Sequence, residues 1–132
     1  MDQNNTSNKY RPILFAAMIL LFIPTWLWLG EAWVSDPYYS HGPLVLMIAL
    51  YFVWTRRGVI ASRNAAKQSP NNLGWLMIIG ALAVHLWATL WRAYYISALT
   101  IPLALFGLLI TLYGWNIARR FIFPLAFLIL MV

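Results

Sequence analysis

Apolar residues in this chain run in long blocks broken by short polar stretches, without strand-like alternation or the three- and four-residue spacing of a one-sided helix. The first block, Pro12 to Trp33, holds about 22 residues, enough for a helix rising ~1.5 Å per residue to cross a ~30 Å hydrocarbon core. The polar, Asn-rich residues 1–11 before it, ending Lys9-Tyr10-Arg11, predict a short tail. Gly30-Glu31-Ala32 would suit a signal-peptidase site, but the block exceeds the ~7 to 15 residue core of a signal peptide and reads as an uncleaved anchor. A second block, Pro43 to Thr55, stops at Arg56-Arg57. Its helix would reach only ~20 Å, so it either extends back through Tyr38, giving a span over 38–55, or starts below the membrane surface. Arg56 to Asn72, with Ser69-Pro70-Asn71-Asn72, reads as a connector. Spans over 73–91 and 93–115 follow, joined by a tight turn at Arg92. The last run, 121–132, is ~18 Å long as a helix and reads as unfinished, because an end there would leave carbonyls unpaired near mid-bilayer. The expectation is an all-α polytopic membrane bundle of four complete spans plus a truncated fifth, the front part of a longer protein. A re-entrant or interfacial last segment is the alternative.

Composition removes the soluble classes. The chain is 63% hydrophobic and 9% charged, whereas soluble domains carry about a quarter charged residues. A net charge of +6 could suggest nucleic acid, but the cations sit in clusters between apolar blocks, as topology signals do, and no nucleic-acid partner is expected. Lys9, Arg11, Arg56, Arg57, Arg63, Lys67, Arg119 and Arg120 fall on one side of the expected membrane and Arg92 on the other. The positive-inside rule then places the N-terminus in the cytoplasm and Glu31 and Asp36 outside. The same threading puts Trp26, Trp28, Trp33, Tyr38, Trp87, Trp91, Tyr94 and Tyr95 near the outer interface and Trp54, Trp75, Tyr113 and Trp115 near the inner one, as aromatic belts require.

Candidate chemistry is sparse. Tyr38-Tyr39-Ser40-His41-Gly42-Pro43 is the densest polar and backbone-special cluster. Pro43 can start a helix, Ser40 can cap it and Gly42 allows close approach, but capping leaves His41 unexplained. Tyr39, Ser40, His41 and Gly42 are therefore candidates to line an outer-face site, with capping and interface packing as the competing reading. His85 and Arg92 are weaker candidates, seven residues apart on one helix face; a hydrogen-bonded neutral histidine and a snorkelling arginine would serve structure alone. Pro24 and Pro102 predict kinks, beside Thr25 and Thr100, whose hydroxyls can satisfy freed backbone groups. Gly74 with Ala81, and Gly107 with Gly114, mark close helix packing. No GxGxxG, HExxH or GxSxG pattern is present, and three acidic residues cannot build a carboxylate cage, so neither metal nor cofactor is expected. There are no cysteines.

The run Asp36-Pro37-Tyr38-Tyr39-Ser40-His41-Gly42-Pro43-Leu44-Val45, followed by a span ending Trp54-Thr55-Arg56-Arg57, resembles the N-terminal half of the exosortase family, and Arg120 through Val132 resembles the segment just ahead of that family's catalytic region. The resemblance implies a multi-pass bacterial inner-membrane cysteine peptidase or transpeptidase. Its substrates would be proteins with a C-terminal Pro-Glu-Pro (PEP-CTERM) sorting signal, a membrane helix and a basic tail, in exopolysaccharide-producing cells. The implied mechanism is thiolate attack on a peptide carbonyl at the outer face, with His moving the proton and Arg stabilising the oxyanion. The family's Cys, Arg and His are expected beyond Val132, so no catalytic residue is assigned here and the chain alone is expected to be inactive. A non-catalytic membrane scaffold and a half-transporter are the alternatives. A transporter should carry polar groups near the midplane of broken helices, whereas the ionisable residues gather toward the outer ends.

Overall fold

The computed structural model describes residues 3–61 and 71–132; Asp2, Arg63, Lys67 and Ser69-Pro70 lie outside them. Every regular element among the described residues is helical: α1 (Gln3–Leu21), α2 (Ile23–Ser35), α3 (Gly42–Thr55), α4 (Arg57–Ala61), α5 (Asn72–Leu90), α6 (Tyr94–Tyr113), α7 (Trp115–Ala118) and α8 (Ile122–Phe127), with 3₁₀ segments at Arg119–Phe121 and Leu128–Met131.

The α5–α6 hairpin is the centre of the bundle. Asn71 caps α5 by accepting a hydrogen bond from the Leu73 N–H at 3.2 Å. At the far end of α5 the amide of Arg92 bonds the Thr89 carbonyl at 3.1 Å and that of Ala93 the Ala88 carbonyl at 2.8 Å, which is the Schellman stop. Arg92 occupies its left-handed position, with φ 56°, where glycine is the usual residue. The two helices then touch through Gly74 and Gly107. A Cβ on Gly74 would lie 2.7 Å from the Gly107 carbonyl oxygen, and one on Gly107 would lie 3.0 Å from that of Gly74. Backbones so close gain van der Waals contact where hydrophobic driving force between helices is absent. Gly107 thus pairs with Gly74, whereas Gly114 ends α6 with φ 82°. Pro102 sits inside a continuous α6 rather than at a break.

The expected first span is bent. α1 and α2 meet at Phe22 with a 59° angle between them. Pro24, in the first turn of α2, has no N–H to offer the carbonyl four residues back, that of Leu20. Helix α1 also reaches back to Gln3, through residues expected to form a tail, and the Arg11 guanidinium lies 4.8 Å over the Tyr113 ring at the end of α6. The second span gains length at its C-terminal side: α3 starts only at Gly42, and α3 with α4 forms a 20-residue apolar stretch from Gly42 to Ala61. Among the described residues, three helical stretches are therefore long and apolar enough to cross a bilayer, and the bent α1–α2 pair makes a fourth when it counts as one span, against the four complete spans expected. The last run is a 3₁₀–α–3₁₀ succession packed on α3 and α6, with Phe121 and Met131 buried and the rings of Phe52 and Phe123 5.2 Å apart. Large apolar side chains such as Leu27, Leu86 and Leu90 face outward, as on a surface solvated by lipid.

Candidate functional site

Two polar centres stand out against this apolar frame. The first is the turn between α2 and α3, at the end of the bundle that carries Glu31 and Asp36. Asp36 organises it: its Oδ1 accepts the Tyr38 amide at 3.0 Å, and its carbonyl accepts the Tyr39 amide at 3.1 Å. Ser40 does not cap α3. Its hydroxyl donates instead to the Pro37 carbonyl at 2.8 Å, and the N-cap position belongs to His41, which makes no side-chain cap. The His41 imidazole turns toward the last segment and donates from Nε2 to the Leu130 carbonyl at 2.9 Å. Trp33 makes a parallel contact, donating from Nε1 to the Met131 carbonyl at 3.5 Å. Gly42 is small because the Trp33 indole lies where its Cβ would be. Tyr39 completes an aromatic wall, its ring centroid 5.8 Å from that of Trp28, which in turn stacks 6.2 Å from Tyr94. Glu31, Asp36, Trp28 and Tyr39 line a shallow pocket of about 340 Å³.

The second centre is buried. His85 is 3% exposed and Ser97 and Thr25 are 0% exposed. The Leu21 carbonyl, at the α1–α2 break, lies 3.2 Å from His85 Nε2, which therefore carries the proton and donates. The other nitrogen of the neutral ring, Nδ1, accepts from the Ser97 hydroxyl at 2.5 Å, and Ser97 Oγ accepts from the Thr25 hydroxyl at 2.5 Å. The Phe22 ring packs on the imidazole at 4.2 Å between centroids. One polar chain thus ties α1, α2, α5 and α6 together. Thr25 is engaged by Ser97 and Thr100 donates to the Ser97 carbonyl at 2.7 Å, so neither repairs a proline gap.

Among the sequence candidates, Tyr39, Ser40, His41 and Gly42 sit together in the turn, His85 belongs to the buried chain, and Arg92 stands exposed at the α5–α6 turn. Ser97 and Trp33 escaped the sequence reading as polar partners. Ser97 had a signal: it lies as many residues after Trp91 as His85 lies before it, and residues equidistant from the turn of a tight helical hairpin sit at the same depth.

The family model described as transmembrane exosortase matches residues 33–132. The chain belongs to the transmembrane exosortase family. No curated protein and no solved structure matches it. The match opens at Trp33 and takes in the α2–α3 turn, both histidines, Arg92 and the last segment; Leu21 and Thr25, which complete the buried chain of this exosortase, fall outside it. Exosortases are in general membrane cysteine peptidases or transpeptidases, and with no cysteine in these 132 residues the thiol is not among them.

Proposed function

We propose that this exosortase chain builds the scaffold for a membrane cysteine peptidase or transpeptidase that processes C-terminal PEP-CTERM-type sorting signals at the outer face of the bacterial inner membrane. The family match over residues 33–132 carries the reading. The thiol, and the Arg and His that serve it, come from outside residues 1–132, and the chain alone is inactive. In the assembled enzyme the thiolate attacks the peptide carbonyl, the histidine carries the proton to the leaving amine, and the arginine holds the oxyanion. The N-terminus lies in the cytoplasm, so the turn with Tyr39, Ser40, His41 and Gly42 faces outward, on the side where the reaction runs.

Within that scheme His41 is a positioning residue. Its hydrogen bond to the Leu130 carbonyl fixes the start of α3 against the segment at Leu128–Met131. The test uses the full-length gene product with a co-expressed reporter carrying a Pro-Glu-Pro signal, a membrane helix and a basic tail, and reads processing as a mobility shift. Processing by the wild type is expected, and its absence overturns the reading. His41→Ala should lower processing about tenfold at unchanged membrane levels, the loss of one hydrogen bond of ~1.4 kcal/mol at a positioned segment. His41→Gln, which keeps a donor, should recover part of it. Loss of protein in step with loss of processing would instead assign His41 to folding alone.

A further inference from the structure

At the opposite end of the bundle from Glu31 and Asp36, the junction of α3 with α4 faces the Arg119–Phe121 turn across a cleft of about 680 Å³. Arg56, Arg119 and Arg120 line it. Arg56 is half-buried and spends one N–H of its guanidinium on the Arg120 carbonyl, leaving four donors. The carboxylates of Glu31 and Asp36 lie a helix length away beyond the start of α3, and none lines the cleft. Three guanidinium groups around one concavity at a membrane edge repel one another unless an anion joins them. Positive-inside bias explains cations at this end, but it does not explain the floor on which they stand. Val59, Ile122, Phe123 and Ala126 make that floor apolar.

The floor continues into a second depression. Ile122 and Ala126 also line an apolar groove of about 450 Å³ between α6 and α8, whose other walls include Leu99, Leu103, Phe106 and Ile129. One surface therefore offers a cationic head site and, sharing two residues with it, a hydrocarbon track running toward the acidic end.

We propose that this composite surface binds an anionic phospholipid, with the phosphate held by Arg56, Arg119 and Arg120 and an acyl chain lying in the α6–α8 groove. Guanidinium forks match phosphate oxygens bidentately and are weakly hydrated. A basic pocket between membrane helices is suited to a lipid head group. The groove commits the ligand further, because a free phosphate has nothing to place there and a neutral or zwitterionic lipid would bring no net charge to the arginines.

The test is detergent extraction of the full-length protein followed by native mass spectrometry and thermal unfolding with four probes: phosphatidylglycerol, phosphatidylcholine, diacylglycerol and inorganic phosphate. Phosphatidylglycerol should be retained through delipidation and should raise the unfolding temperature, with the other three far weaker. Arg119→Gln with Arg120→Gln should weaken phosphatidylglycerol retention about tenfold or more, at roughly one kcal/mol per cation, with an unchanged helical spectrum. Ala126→Trp, which fills the shared floor, should weaken it while leaving the response to phosphate alone unchanged. Equal retention of phosphatidylglycerol and phosphatidylcholine, a full thermal shift from inorganic phosphate, or no bound phospholipid because a further helix covers the groove would each overturn the proposal. The comparison among probes on the wild-type protein requires no variant to fold.

Discussion

At the scale of single residues, the expensive feature is the chain from Thr25 through Ser97 and His85 to the Leu21 carbonyl. Each group would be costly if left unpaired in hydrocarbon, and together they satisfy one another. His85 makes two of the three bonds, so His85→Ala strands a carbonyl and leaves a buried hydroxyl without its acceptor. A loss of ~1–3 kcal/mol is expected, read as a lowered unfolding temperature in detergent. Ser97→Ala also removes two of the three bonds, those to His85 and Thr25, but deletes one oxygen rather than a ring and leaves little cavity, so it should cost less. Thr25→Val should cost least, roughly 0.6 kcal/mol for one terminal intramembrane bond. A loss from Thr25→Val larger than that from His85→Ala would overturn this ordering. Glycine positions give a second contrast at this scale. A Cβ on Gly74 meets Thr111 Oγ1 and the Gly107 carbonyl, whereas one on Gly80 meets nothing within 4 Å. Gly74→Ala should therefore destabilise by ~1–3 kcal/mol. Gly80→Ala, in the same helix, should be neutral or stabilising by up to ~1 kcal/mol.

At the scale of elements, the joints are more informative than the helices. The α5–α6 turn is built on a Schellman stop with arginine in the left-handed position, which costs a non-glycine residue about 1 kcal/mol. Arg92→Gly should raise thermal stability by about that amount; a fall would show that the guanidinium contributes more than the backbone loses. The α1–α2 joint solves a different problem. Its bend exposes the Leu21 carbonyl inside an apolar bundle, and His85 fills that vacancy from a neighbouring helix. The α2–α3 turn is closed at one side by Asp36 and at the other by His41 and Trp33, which reach the carbonyls of Leu130 and Met131. Helices were legible as apolar blocks, but their ends were not: Arg57–Ala61, expected to open a connector, is helical and lengthens the second span. The bend was foreseeable in kind from Pro24, while Pro102 shows the limit of that inference: α6 continues through it because packing on α5 holds the helix on both sides.

At the scale of the whole molecule, the bundle has a polarity of charge: Glu31 and Asp36 at one end, Arg56, Arg57, Arg119 and Arg120 at the other. A sequence without cysteine lets the expected orientation be tested by single labels. Ser35→Cys in intact cells should react with an impermeant maleimide, and Asn116→Cys should react only after the membrane is opened; both positions are exposed. The reverse pattern would invert the topology and move the α2–α3 turn to the cytoplasmic side.

Class, membrane location and the order of helices were determined by sequence alone, because each follows from how far an apolar run extends and where charges interrupt it, and these are local quantities. The turn at Tyr38–Pro43 was visible for the same reason, being contiguous. The partners of His41 and His85 were decided only by tertiary structure. Leu130 lies 89 residues from His41 and Leu21 64 from His85. A hydrogen bond to a distant main-chain carbonyl leaves no trace in side-chain type, since every residue carries that acceptor.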